Sequence, residues 1–153
     1  MTEDARFEDA GEGPVALRAL DGEDLKVIAA LVQDAVFPAS EMSWDRKRRR
    51  FALLLNRFRW EVGGTTPERV RSILVIEDVT RVASQGIARG DTDLVLSLLT
   101  LEWEAGEDGT GRVTLVLAGD GAVAVEVEAL EVTLRDVTRP YVAPSGKAPG
   151  HPD

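Results

Sequence analysis

A chain of 153 residues, 44% hydrophobic and 29% charged, has the size and composition of one folded domain, which excludes global disorder and disfavours two full domains. The formal net charge of −9 repels polyanions and anionic lipid at long range, so nucleic acid is a poor partner and membrane docking is not expected. With no cysteine, disulfides, thiolate metal sites and cysteine nucleophiles are excluded together.

Residues 1–13 carry Glu3, Asp4, Glu8, Asp9 and Glu12 where an export signal needs a basic start and an apolar run. The segment reads as a disordered acidic tail of a cytoplasmic protein. Residues 14–138 then form a single globular domain, and residues 139–153, with Pro140, Pro144, Pro149 and Pro152, read as a second disordered tail. No apolar stretch approaches the ~18 residues that cross a bilayer, since Leu94 to Leu101 is interrupted by Ser97 and Thr100.

The first predicted element is a short strand, Val15 to Leu20. A helix follows over about Gly22 to Asp34, with Asp21 as N-cap and Glu23 and Asp24 in its first turn. Leu25, Ile28, Leu31, Val32 and Ala35 fall on one face of it at helical spacing. Pro38 ends that region, and Glu41 to Trp44 reads as a strand entering a basic turn at Asp45 to Arg49. Arg50 to Glu61 is the longest predicted strand. Its even positions Ala52, Leu54, Phe58 and Trp60 share one pleat face, while the odd face begins apolar at Phe51, Leu53 and Leu55 and turns basic at Arg57 and Arg59. That pattern predicts burial on both faces at one end and on the even face alone at the other. Asn56 sits among the even apolar residues, so it must be hydrogen-bonded or mark a bulge.

A glycine-rich loop, Gly63 to Pro67, leads to strands at Val70 to Ile76 and Val79 to Ser84, joined by a tight Glu77-Asp78 turn. After a loop through Gly86 and Gly90, Leu94 to Glu104 reads as a central strand covered on both sides. Arg112 to Leu117 and Ala122 to Glu128 form the clearest hairpin, around Gly119-Asp120-Gly121. Beyond it Val127, Leu130, Leu134 and Val137 fit a helical period, so Ala129 to Asp136 is predicted as a short C-terminal helix, with a strand as the alternative. Together these elements make an α+β domain, mainly antiparallel sheet, curled or barrel-like. A pleckstrin-homology-like closure of the sheet around a helix is the architectural alternative.

The stretches Leu31-Val-Gln-Asp-Ala35, Trp44, Arg49-Arg-Phe-Ala-Leu-Leu-Leu-Asn-Arg-Phe-Arg-Trp-Glu61, Val95-Leu-Ser-Leu-Leu99 and Val127-Glu-Ala-Leu-Glu131 resemble a small bacterial domain family of unknown function. The resemblance covers roughly residues 15 to 137 and is most specific from Arg49 to Glu61. It implies a recurrent fold and brings no catalytic residue, ligand or partner.

No catalytic, cofactor-binding or metal-ligating residue is assigned, and no cofactor is implied. The single histidine, His151, lies in the proline-rich tail, where a Ser-His-Asp device would rest on a mobile group. Zinc and iron sites need clustered Cys or His ligands that the chain lacks. Glu102 with Glu104, and Glu126 with Glu128, share a strand face as a carboxylate site would require. The opposite parity carries Leu101 and Trp103, or Val125 and Val127, so each pair reads as an ordinary solvated face. Gly106 to Gly111 resembles a phosphate loop but lacks its lysine and precedes a strand, as a hairpin loop does.

The cations Arg46, Lys47, Arg48, Arg49, Arg50, Arg57 and Arg59, with Trp60, are the distinctive candidates for an interaction site, because no acidic residue intervenes between Arg46 and Trp60. Forked guanidinium groups bind carboxylate or phosphate, and arginine can stack on Trp44 or Trp60. The plainer reading is a solvated tip whose arginine stems cover apolar surface. The resulting expectation is a non-catalytic cytoplasmic binding or adaptor module with an acidic protein partner. The alternatives are an enzyme of unrecognised type using no metal, Cys or His, and phosphate or nucleic-acid binding through the basic turn.

Overall fold

The computed structural model describes the backbone of Glu3–Asp4 and residues 13–62, 67–87 and 93–142. His151, the loop at 63–66 and most of both tails lie outside the described residues. Among the described residues, twelve strands and one α-helix follow in chain order: β1 (Glu3–Asp4), β2 (Ala16–Ala19), α1 (Gly22–Val32), β3 (Ala35–Pro38), β4 (Met42–Asp45), β5 (Arg50–Phe58), β6 (Glu68–Ile76), β7 (Val79–Gln85), β8 (Val95–Ala105), β9 (Gly111–Leu117), β10 (Ala122–Val127), β11 (Val132–Asp136) and β12 (Tyr141–Val142).

Helix α1 starts where capping chemistry places it: the Asp21 side chain accepts from the Asp24 N–H at 2.8 Å, with Glu23 and Asp24 at the positive end of the helix dipole. Its end comes earlier than the periodicity suggests. Asp34 takes a left-handed conformation (φ 63°) and donates its N–H to the Leu98 carbonyl at 2.8 Å, which turns the chain into β3. Ala35 therefore keeps its buried position, but on a strand.

The strands form one sheet in the order β1-β2-β11-β6-β5-β3-β8-β9-β10-β7, with β12 on β6 and β4 on β5. Every pairing is antiparallel except β1 with β2. Inward residues of β2, β5, β6, β8, β9, β10 and β11 meet those of α1 in a single hydrophobic cluster, so the sheet folds over on itself. The sheet is not closed. Strands β6 and β7 are joined by two residues, with Asp78 left-handed (φ 55°), yet they pair with different neighbours and β7 ends the sheet. The start of β7 is held by the Val79 N–H to the Arg49 carbonyl at 2.8 Å.

Two expectations are corrected. Residues 129–136 form no C-terminal helix: Val132–Asp136 is β11, inserted between β2 and β6. Val127 ends β10 and Leu130 lies in the short connection to β11, and that strand-connection-strand geometry mimics a helical spacing of apolar residues. A strand there gives hydrogen-bond partners to two edges at once, which a helix would leave unpaired. On β5 the odd face is buried at Phe51, Leu53 and Leu55 as expected, but the expected exposure of that face at Arg57 and Arg59 is overturned. The odd residues are buried along the whole strand, Arg57 included, and Ala52, Leu54, Asn56 and Phe58 are only half-buried. Asn56 is satisfied without a bulge, donating to the Tyr141 hydroxyl and accepting from Arg69 at 3.4 Å.

Candidate functional site

The seven cations of the sequence cluster divide into two groups at opposite ends of β5. A nine-residue strand rises roughly 3.3 Å per residue, which separates Arg50 from Phe58 by roughly 25 Å. Arg57, Arg59 and Trp60 are therefore remote from Arg46 to Arg50.

The first group is interior. Arg57 is fully buried and its guanidinium is saturated. Nη1 and Nη2 grip the two Glu61 oxygens at 2.8 Å each, Nη2 reaches both Asp136 oxygens at 3.0 and 3.1 Å, and Nε donates to Ser72 Oγ at 3.0 Å. Ser72 Oγ in turn donates to Asp136 Oδ1 at 2.6 Å, and Asp136 Oδ2 accepts the Val15 N–H at 2.9 Å. Arg59, 6% exposed, pairs with Glu68 at 2.8 Å and approaches Glu61 at 3.7 Å. The Glu61 and Asp136 side chains are 1% and 3% exposed.

Burial pushes the Arg57 pKa down, but hydrogen bonds and Coulomb attraction from Glu61 and Asp136 outweigh it and hold the pKa above its ordinary value. A forked, always charged guanidinium is the side chain suited to such a site. The cluster ties β5, β6, β11 and the entry to β2 together. Since Glu61 and Asp136 are both occupied by Arg57, neither is presented to a substrate as acid or base. Trp60 is also spoken for, donating its indole N–H to the Gln33 carbonyl past the end of α1 at 2.9 Å and meeting Phe58 edge-on at 4.7 Å.

The second group stays at the surface. Arg46, Lys47 and Arg48 are exposed on the β4–β5 turn. Asp45 shapes the turn by accepting the Arg48 N–H at 3.1 Å, and Arg49 closes it in a left-handed conformation (φ 57°). Arg49 pairs with Glu128 at 2.8 Å and Arg50 with Glu77 at 2.9 Å. Each carboxylate raises the pKa of its arginine, first through the hydrogen bond. Beside the turn lies a groove of about 550 Å³ lined by Trp44, Arg46, Arg49, Arg81, Glu128 and the start of β7. It occupies the opening between β4 and β7.

Reading the sequence missed Glu61, Glu68, Ser72 and Asp136 as partners of Arg57 and Arg59, and missed Arg81 and Glu128 at the groove. The available signal for the interior cluster was two arginines at alternate positions of an apolar strand face with Glu61 close behind. Glu102 and Glu104 are exposed opposite Leu101 and Trp103, as the parity argument required. Among the described residues, no group of three or more His, Cys, Asp or Glu side chains is arranged to hold a metal ion, and no helix is long and apolar enough to cross a membrane.

Fold and site together define a domain of unknown function that is, among the described residues, mainly β with one α-helix. The chain belongs to the family described as Protein of unknown function (DUF2948), whose model matches residues 15–151. The match contains the whole stretch from 15 to 137 that carries the sequence resemblance and runs on through residues 139–151. No curated protein and no solved structure matches the chain.

Proposed function

We propose that this domain is a non-catalytic binding or adaptor module that engages an acidic protein partner through the β4–β5 turn and the adjoining groove. The observation that carries this reading is the convergence of exposed cations on a built turn. Arg46, Lys47 and Arg48 project from a backbone held by Asp45 and Val79, with the Arg49 side chain fixed by Glu128, beside Trp44 and Arg81, in a chain whose net charge is −9. Solvated arginines on a turn of fixed shape lose less conformational entropy on binding than arginines on a free loop. Location in a bacterial cytoplasm belongs to the same proposal.

The saturated state of Glu61 and Asp136 speaks against the enzyme alternative at the interior cluster. The overall charge speaks against nucleic acid at the turn. Replacing Arg46, Lys47 and Arg48 by serine tests the proposal. Surface substitutions usually change stability by under ~0.5 kcal/mol each, so unfolding should be unchanged. Binding of acidic peptides in an array should fall at least tenfold, with a weaker salt dependence of what remains. Equal binding by parent and variant at low and physiological salt would show the turn to be a solvated tip.

A further inference from the structure

We infer that the partner segment binds as an added β-strand on the free edge of β7, its carboxylates facing Arg46, Arg49 and Arg81. This inference rests on the acidic-partner reading and specifies its geometry.

Strand β7 pairs with β10 on one side only, from Val79 opposite Val127 to Gln85 opposite Ala122. Among the described residues no strand covers its other edge. Among the described residues that edge is occupied at its start alone, where Val79 donates to the Arg49 carbonyl at 2.8 Å. From Thr80 to Gln85 every second residue therefore turns its backbone N–H and C=O outward, the arrangement that accepts an extended chain.

The surroundings select what is added. The edge opens into the groove between β4 and β7, where Arg46, Arg49 and Arg81 supply positive charge and the half-buried Trp44 and Val82 supply apolar surface. Arg49 already holds Glu128 at 2.8 Å, which shows the geometry in which this groove takes a carboxylate. Arg46 and Arg81 have no ion-pair partner among the described residues. An extended segment with carboxylates on one face and small apolar residues on the other matches both features, because strand side chains alternate. A cationic edge also discourages pairing between copies of this chain, so the same arginines that invite an acidic strand keep β7 from pairing with itself.

The test uses the full chain and two terminally blocked peptides of about eight residues, one alternating glutamate with valine and the other of the same sequence with every backbone amide N-methylated. The two carry equal charge and the same side chains, but the methylated chain lacks every N–H needed to extend a sheet. The expected result is at least tenfold tighter binding of the unmethylated peptide. Slowed hydrogen exchange confined to amides of Thr80 to Gln85, and a severalfold loss of affinity in Arg81→Ser, should accompany it. Equal affinities with no added protection on β7 would overturn strand addition while leaving the charge reading intact. Binding of neither peptide at physiological salt would overturn both.

Discussion

Replacing Arg57 by methionine tests whether the interior ion cluster holds the fold together. Methionine roughly matches the length and flexibility of the arginine stem, so packing is largely kept and the charge is lost. What remains is a pair of carboxylates, Glu61 and Asp136, that are 1% and 3% exposed and have lost their shared guanidinium. Removing one partner of a buried ion pair costs about 3–5 kcal/mol, mostly because the other charge stays buried unpaired. Against a total stability of ~5–15 kcal/mol this is a large share, and for a domain of this size it lowers Tm by about 10 °C. Urea unfolding followed by circular dichroism measures it. The control is Arg57→Met combined with Glu61→Gln and Asp136→Asn, which removes the stranded charges and should recover at least ~1 kcal/mol through coupling within one network. An Arg57→Met variant within ~0.5 kcal/mol of the parent would refute the reasoning, since it would mean the carboxylates find water as readily as they find Arg57.

Two further substitutions examine the packing and the C-terminal edge. At Gly111 an added Cβ would lie 2.3 Å from Trp103 Cη2 and 2.4 Å from the Glu104 carbonyl oxygen, so Gly111→Ala should cost about 2–3 kcal/mol, read as a shift in the urea midpoint with unchanged slope. Tyr141→Phe removes the acceptor of the Asn56 amide and should cost about 1 kcal/mol, whereas Asn56→Ala in that background should add less than it does in the parent. Strict additivity of the two changes would show that β12 does not dock on the sheet through this pair.

Local chemistry was legible in the sequence, and long-range pairing was not. The Asp21 cap, the β9–β10 hairpin around Gly119-Asp120-Gly121 and the basic turn before β5 are each set by residues a few positions apart, and each was readable. The failures share a cause. Arg57 meets Asp136 across a separation of 79 residues and Asp136 meets Val15 across 121, so no window of sequence shows that an apparently surface arginine is held inside by a distant carboxylate. The apolar even face of β5 compounded the error, because Ala52, Leu54 and Phe58 look like core and are half-buried instead. The same limit applies at 129–136, where tertiary pairing with β2 and β6 overrides a helical spacing. For the candidate site, Arg46 to Arg50 were legible as a cationic turn. Arg81 and Glu128, brought beside the turn by the return of β7 and β10, were not.

The two indole N–H groups of Trp44 and Trp60 report the two ends of β5 and allow the most direct measurement. In ¹⁵N-labelled full chain titrated with the unmethylated glutamate–valine peptide, chemical-shift changes should concentrate on Trp44 to Arg50 and Val79 to Gln85. The Trp44 indole should move, while the Trp60 indole, bonded to the Gln33 carbonyl, should stay fixed. Movement of the Trp60 indole and of Arg57 to Glu61, with the turn unaffected, would contradict the division between an interior structural cluster and an exposed binding surface.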